Sequence, residues 1–241
     1  MSVSVPHTAM VLAAGLGTRM RPLTNDCPKP LIPVRGRKLI DRVIGPLKAA
    51  GVKRLVVNVH YLADQIEAYL ETLTDFEVIV SDERGEVLET GGGLAKARPL
   101  LGEEPVFVLN TDAFWFPEEA DPLLALAEAF DPAQEDERLL VADTGRALGF
   151  DGPGDFFMDG EGRLTRRGDA QTAPWAYAGV RIMKPQIYDG QPVERFSALR
   201  IWDSLIPQRR LKGMALDSFW LHVGDPQALK DAEMWVFCNG G

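Results

Sequence analysis

Short apolar runs alternate with amphipathic stretches through the first half of the chain. The runs Thr8–Ala13, Arg54–Val59, Phe76–Val80 and Val106–Leu109 have the length of strands, and the segments Leu39–Ala50, Ala63–Thr72 and Leu94–Leu101 between them repeat apolar positions with a helical period. Such alternation predicts βαβ units and a largely parallel sheet. Residues 55–59, Leu-Val-Val-Asn-Val, are apolar enough for a strand covered on both faces, and Gly51 supplies a stop for the helix before them. Pro122–Phe130 reads as a further helix and Arg138–Asp143 as a further strand, ahead of glycine-rich connections at Gly145–Gly154. From Asp155 the pattern becomes a hairpin, Phe156–Asp159 and Arg163–Arg167 about Gly160-Glu161-Gly162, expected as a small antiparallel excursion beside the main sheet. A strand at Tyr177–Met183, a helix at Ala198–Pro207, a strand pair around Met214–Leu216 and Phe219–His222, and a helix from Pro226 to Phe237 complete the expectation.

Composition narrows the function. The 241 residues contain no repeat and no long linker, so a single domain over residues 1–241 is expected. Lys and Arg total 26 against 35 Asp and Glu, a net charge of -9 that argues against a nucleic-acid partner. Any phosphate site must therefore be local. No stretch reaches the roughly 18–20 apolar residues of a membrane span, so no membrane partner is expected. The apolar run Ala9–Leu16 is short, has no Lys or Arg before it and is followed by Arg19 and Arg21, unlike a secretory leader. Cys27 and Cys238 have neither metal-site nor disulfide spacing, which suits reduced thiols in the cytoplasm.

Candidate chemistry is concentrated in the segment Leu12–Thr24, LAAGLGTRMRPLT, directly after the first strand and ahead of Pro28-Lys29-Pro30-Leu31. Its glycines let backbone N–H groups approach an anion, and Arg19, Arg21 and Lys29 add positive charge. A dinucleotide fingerprint would place glycine where Met20 stands, and the Walker pattern is absent. The second constellation is Val106–Asp112, VFVLNTD, whose carboxylate falls at the C-terminal end of a strand, where open α/β sheets bind ligands. A single aspartate facing a triphosphate suits Mg2+, which takes one or two carboxylates with phosphate oxygens; an Asx turn is the competing reading. His60 closes a buried strand and reads as a structural histidine.

LAAGLGTRMRPLT followed by PKPL resembles the signature of the sugar-1-phosphate nucleotidylyltransferases, which join a nucleoside triphosphate to a sugar 1-phosphate and release pyrophosphate. The short chain and its ETGGGLAKA segment are similar to the N-acetylmuramate-1-phosphate uridylyltransferase branch. The resemblance implies a three-layer α/β/α Rossmann-like nucleotidyltransferase fold with a mixed, mostly parallel sheet. Residues 8–115 would bind nucleotide and residues 116–241 the sugar phosphate. It implies that Leu12, Ala13, Ala14, Gly15, Gly17 and Thr18 wrap the triphosphate and that Arg19 steadies the departing pyrophosphate. Lys29 would bridge the α-phosphate and the attacking sugar phosphate, and Asp112 would hold Mg2+, with Mn2+ or another divalent ion as the alternative. Glu89, Thr90, Gly92 and Gly93, in a loop ahead of the helix at Leu94, would form the base pocket. Asn110, Gly154, Arg167, Tyr177 and Gly179 would receive the sugar phosphate.

UTP is the expected nucleotide, in cytoplasmic nucleotide-sugar synthesis for the cell wall, with the protein a monomer or small homo-oligomer. A guanylyl- or thymidylyltransferase for mannose or glucose 1-phosphate, and a regulatory protein that binds nucleotide sugar without turnover, are the alternatives. Two departures stand out. Many relatives carry an EKP element whose lysine meets the sugar phosphate; here the stretch reads Arg166-Arg167-Gly168, and either Arg166 or Arg167 would replace that charge or both would be surface charges. Where relatives place a second metal-binding aspartate before Val-Gly, this chain has His222, with Asp225 three residues on. Three readings stay open: His222 binds a softer metal, Asp225 reaches the ion, or Asp112 suffices with phosphates and water. Asp225 also reads as the N-cap of the helix at Pro226.

Overall fold

The structure, a computed structural model, describes residues 5–239. Thr8–Leu12 is an interior strand of a nine-stranded sheet. On one side it pairs in parallel with Arg54–Val59, which pairs in parallel with Glu77–Asp82; on the other it pairs in parallel with Val106–Asn110. The chain thus builds outward in one direction and then returns to the opposite flank of its first strand, which makes the gap between Leu12 and Asn110 a topological switch point. Beyond Val106–Asn110 the sheet turns antiparallel through Trp175–Met183, which also pairs with Glu137–Asp143; Leu211–Ala215 then joins Glu137–Asp143 in parallel.

Both faces are covered, as the unbroken apolar strands require. Ala9, Val11, Leu55 and Val57 pack under the helices Leu39–Ala50, Ala63–Leu70 and Asp121–Ala129 through Ile44, Leu47, Ile66 and Leu126. Met10, Val56 and Val108 face the helices Glu89–Leu101 and Leu199–Leu205 through Leu94, Ala97 and Trp202. Successive residues of one strand thus enter two cores, the period-two consequence of a doubly covered sheet. The expected three-layer fold and mixed sheet hold. Gly51, at φ 97°, stops its helix as expected.

Four expectations need correction. The helix placed at Leu94–Leu101 begins at Glu89, so Gly91, Gly92 and Gly93 lie inside it rather than in a loop ahead of it. The two strands read as a pair near residues 214 and 219 belong to different sheets. Leu211–Ala215 enters the main sheet, whereas Phe219–His222 joins a three-stranded sheet with Ala113–Phe116 and Ala147–Leu148. Ala147–Leu148 lies in the segment expected to be only connections. The hairpin Phe156–Met158 and Leu164–Arg166 forms, but as an edge of the main sheet, through Phe156 opposite Trp175.

Candidate active site

Register sets the floor of the site, because Leu12 lies beside both Asn58 and Asn110 at the C-terminal ends of three parallel strands. Above them opens a cleft of about 390 Å³. Leu12, Ala13, Ala14, Gly15, Gly17, Thr18, Arg19, Lys29, Glu89, Thr90, Asn110 and Asp112, all expected from the sequence, line it.

The loop after the first strand is held by its own neighbours. Ala13 N–H donates to Asn58 Oδ1 at 2.8 Å, and the Thr24 hydroxyl donates to the Gly17 carbonyl at 2.8 Å. Gly17 sits at φ 60°, a left-handed conformation that favours glycine, and a Cβ there would come within 3.0 Å of Thr24 Cγ2. Gly15, by contrast, has nothing within 4 Å of a Cβ position. The fully buried Met20 anchors the short turn Thr18–Met20, which leaves Arg19 exposed at the rim of the cleft. Lys29 is carried into the site by the turn Lys29–Leu31.

Lys29 Nζ donates to Asp112 Oδ2 at 3.0 Å, and His222 Nε2 lies 3.9 Å from the same oxygen. Burial alone would push the Asp112 carboxyl up, but Lys29, His222 and Arg19 together outweigh it and hold the group below the usual carboxylate range. The pairing of Phe219–His222 with Ala113–Phe116 puts His222 opposite Ala113, and Val223 N–H donates to the Asp112 carbonyl at 2.8 Å. A strand remote in sequence therefore closes the corner around Asp112. Beside it, Asn110 Oδ1 is buried with no hydrogen-bond partner and Asn110 lines the cleft, a polar atom left for a ligand.

At the other end of the cleft, Glu89 adopts φ 58° and accepts from Arg195 Nε at 2.8 Å, while Thr90 Oγ1 accepts from Ala198 N–H at 2.9 Å. These contacts tie residues 195–198 to the start of the helix. They also account for Gly92, one of the two glycines expected at the base pocket, and for its neighbour Gly91. Gly91 and Gly92 both donate N–H to the Phe196 carbonyl, and a Cβ at Gly92 would come within 1.9 Å of the Glu194 carbonyl oxygen. Gly92 serves close packing, and Gly93 gives room to Glu83, whose Oε1 would stand 2.8 Å from a Cβ there. Neither lines the cleft.

Several residues expected at the sugar phosphate are likewise engaged elsewhere. Arg167 donates to the carbonyls of Gly154 and Ala170, holding its own loop together, and Gly154 at φ 81° lies against the Ala173 carbonyl. Arg166 lies over the Phe156 ring. Tyr177 packs edge-on to Trp202, and burial pushes its hydroxyl up to about 12. Gly179, at φ 84°, occupies the register shift between Tyr177 and Arg181, where a Cβ would meet Asn110 at 3.4 Å; it supports the cleft from behind. Asp225 Oδ1 accepts from Gln227 and Ala228 N–H, both at 2.9 Å, and caps the helix Pro226–Asn239. His60 is structural, its Nδ1 donating to the Glu83 carbonyl at 2.6 Å.

Asn58, Glu83, Val87, Thr111 and Gly224 line the cleft without having been singled out in the sequence. Asn58 joins loop to floor: it accepts from Ala13 and donates to Glu83 Oε1 at 2.8 Å. A polar residue ending an apolar strand was the available signal for Asn58, the same one that marked Asp112.

Residues 9–206 match the model of the MobA-like NTP transferase domain. The chain is 47% identical over 232 residues to N-acetylmuramate alpha-1-phosphate uridylyltransferase of Caulobacter vibrioides, covering 95% of this chain and 96% of the relative. It is 34% identical to the protein of that name from Neisseria meningitidis serogroup B, covering 93% and 96%. Among solved structures, the inositol-1-phosphate CTP transferase of T. maritima superposes with a TM-score of 0.76 at 20% identity, covering 95% of this chain and 97% of that one. HddC of Yersinia pseudotuberculosis gives 0.73 at 22% identity, covering 95% and 99%.

Proposed function

We propose, from the premise that the chain belongs to the MobA-like NTP transferase family, that it transfers a uridylyl group from UTP to N-acetylmuramate 1-phosphate and releases pyrophosphate. The chain is a nucleotidylyltransferase; the base and the sugar are the proposal. The 47% identity to the Caulobacter vibrioides relative over nearly the whole chain supports that base and sugar, and the transfer itself is supported by an acidic chain that gathers the phosphate loop, Arg19, Lys29 and Asp112 at the switch point of its sheet.

The obstacle in this reaction is the repulsion between two phosphate esters, so preorganised positive charge lowers the barrier more than an acid or base would. The backbone of Ala13–Thr18 cradles the triphosphate, and Arg19, at the exposed rim, takes the charge that gathers on the leaving pyrophosphate. Lys29, deeper in the cleft, spans the α-phosphate and the incoming sugar phosphate. An oxygen of the sugar 1-phosphate attacks the α-phosphorus in line as the bond to pyrophosphate breaks. Among the described residues lining the cleft there is no Ser, Cys or His, and of its three threonines, Thr18, Thr90 and Thr111, the last two spend their hydroxyl oxygens on backbone bonds, which supports direct transfer without a covalent intermediate. Asn110 Oδ1, an unpartnered acceptor, is assigned to a hydroxyl or amide donor of the sugar.

The Asp112 corner fits a divalent cation: its carboxylate is held ionised, already attracts a cation in Lys29, and faces the phosphate loop. Such an ion, Mg2+ or a relative, supplies charge neutralisation at the phosphates when bound. Residues 8–115 are assigned to nucleotide and residues 116–241 to sugar phosphate, in cytoplasmic synthesis of a nucleotide sugar for the cell wall. The two unpaired cysteines support the compartment, and no described helix is long and apolar enough to cross a membrane. Pyrophosphate release from UTP, GTP, dTTP and CTP, each offered N-acetylmuramate, mannose and glucose 1-phosphates, tests the reading. UTP with N-acetylmuramate 1-phosphate is expected to lead; preference for GTP with mannose 1-phosphate would reassign the substrates, and UDP-sugar binding with no turnover in any pair would reassign the protein to regulation.

A further inference from the structure

The loop after the first strand is held at both ends by one neighbouring segment. Asn58, near the end of the strand Arg54–Val59, accepts from Ala13 N–H where the loop begins. Tyr61, just beyond that strand, meets the loop where it ends: its hydroxyl donates to the Thr24 carbonyl at 2.8 Å and to the Asn25 carbonyl at 3.1 Å. A phenol has a single proton to give, so the two carbonyls share it. Thr24 carries this hold inward. It is fully buried, and its hydroxyl donates to the Gly17 carbonyl, which also accepts from Met20 N–H at 3.0 Å and so closes the turn that bears Arg19. Thr24 Cγ2 and Lys29 Cβ both crowd the place of a Gly17 Cβ, at 3.0 and 3.2 Å. The turn of Arg19 and the stem of Lys29 therefore meet beside one buried threonine.

We propose that Tyr61 is a positioning residue for the nucleoside triphosphate, acting through Thr24 to hold the loop in its phosphate-receiving shape before the ligand binds. The proposal rests on the reading of this loop as the triphosphate cradle and adds what sets its shape. Neither Tyr61 nor Thr24 lines the cleft, so both act from behind the loop. Tyr61 is suited to the task because it stands between a strand of the main sheet and the helix Ala63–Leu70, whose Ile66 and Leu70 lie in the core. A loop that has to order itself around its ligand loses affinity in proportion to the time it spends in the wrong shape. Releasing the brace therefore weakens binding of the triphosphate and spares both the sugar phosphate and the chemical step.

The test is steady-state kinetics of the full chain with UTP and N-acetylmuramate 1-phosphate, beside calorimetric titration with UTP alone. Tyr61→Phe is expected to raise both KM and Kd for UTP about threefold to tenfold, the worth of one hydrogen bond, with kcat and the KM for the sugar phosphate within about twofold of wild type. Thr24→Val should raise the same two constants about tenfold, and Thr24→Ser, which keeps the hydroxyl, should recover most of the loss. Because the two residues act in series, Tyr61→Phe combined with Thr24→Val should bind UTP no more weakly than Thr24→Val alone. Gln65→Ala is the control, since the Gln65 amide donates only to the Asp26 carbonyl, beyond Thr24, and should leave KM unchanged. Unchanged UTP affinity in Tyr61→Phe, an equal loss in Gln65→Ala, or a parallel rise in KM for both substrates would overturn the inference while leaving nucleotidylyl transfer standing. A wild type that binds no UTP would overturn both.

Discussion

Two glycine-rich segments border the same cleft and use their glycines in opposite ways. In the loop after the first strand, Gly15 has open space where a side chain would begin, and Gly17 takes a left-handed turn that aims the chain around the cleft. In the helix Glu89–Leu101, Gly91 and Gly92 are pressed against Phe196 and Glu194, and their N–H groups go to protein rather than to ligand. Glycine permits close approach in both places, but only at Gly15 does the position of the Cβ open onto free space beside the cleft. What lies where the Cβ would stand, not the glycine count, tells a binding loop from a packing one.

The contrast can be broken most forcefully at the cation the loop delivers. Lys29→Ala should lower kcat/KM by about 10²–10³-fold with the fold intact by circular dichroism, since one preorganised electrostatic contact is worth about 2.7–4 kcal/mol; unchanged turnover would remove Lys29 from the mechanism. Next is Gly92→Ala. The added methyl meets the Glu194 carbonyl at 1.9 Å, so thermal unfolding should show a loss of about 1–3 kcal/mol, while the folded fraction keeps its nucleotide affinity. Asp225→Ala should cost about 1 kcal/mol by removing a helix cap and Asp225→Asn far less, with nucleotide-dependent metal affinity little changed in either. Gly15→Ala sharpens the comparison from the other side: stability within about 0.5 kcal/mol of wild type, but a raised KM for nucleoside triphosphate.

The smallest effect concerns the carboxyl that Gly93 shelters. Burial pushes Glu83 up, against the opposing help of Asn58, Lys96, His60 and the Leu88 N–H. The folded state therefore holds this proton more tightly than the unfolded chain does. Its contribution is present below the ordinary glutamate value and is lost as the pH rises through the higher folded one. Melting curves should show the wild type losing ground to Glu83→Gln as the pH climbs from about 4 toward neutrality. Parallel curves would contradict the shift.

The order of strands and helices was legible because both faces of the sheet are covered, which leaves uninterrupted apolar runs such as residues 55–59 with glycine stops between. That the loop after the first strand and Asp112 would border one cleft was legible for a related reason: both follow the C-terminal ends of buried parallel strands, where the sheet opens. Arg167 and Gly92 turn to the protein's own carbonyls, which the sequence could not announce, because a spare charge and a flexible backbone look the same whether the partner is a substrate or the protein itself. Asn58 and Glu83 escaped notice since a hydrogen-bonded chain from loop to floor joins residues far apart in sequence. His222 was visible as an oddity, but only the pairing of Phe219–His222 with Ala113–Phe116 explains why it faces Asp112.

The central claim is that the nucleotidyl group passes directly between two phosphates across a cationic cleft, no side chain accepting it in between. One diastereomer of UTPαS, turned over with N-acetylmuramate 1-phosphate, reports this in the configuration at the α-phosphorus of the product, read by 31P NMR. A single in-line displacement predicts inversion; retention, the mark of two successive displacements through a covalently held nucleotidyl group, would contradict the account.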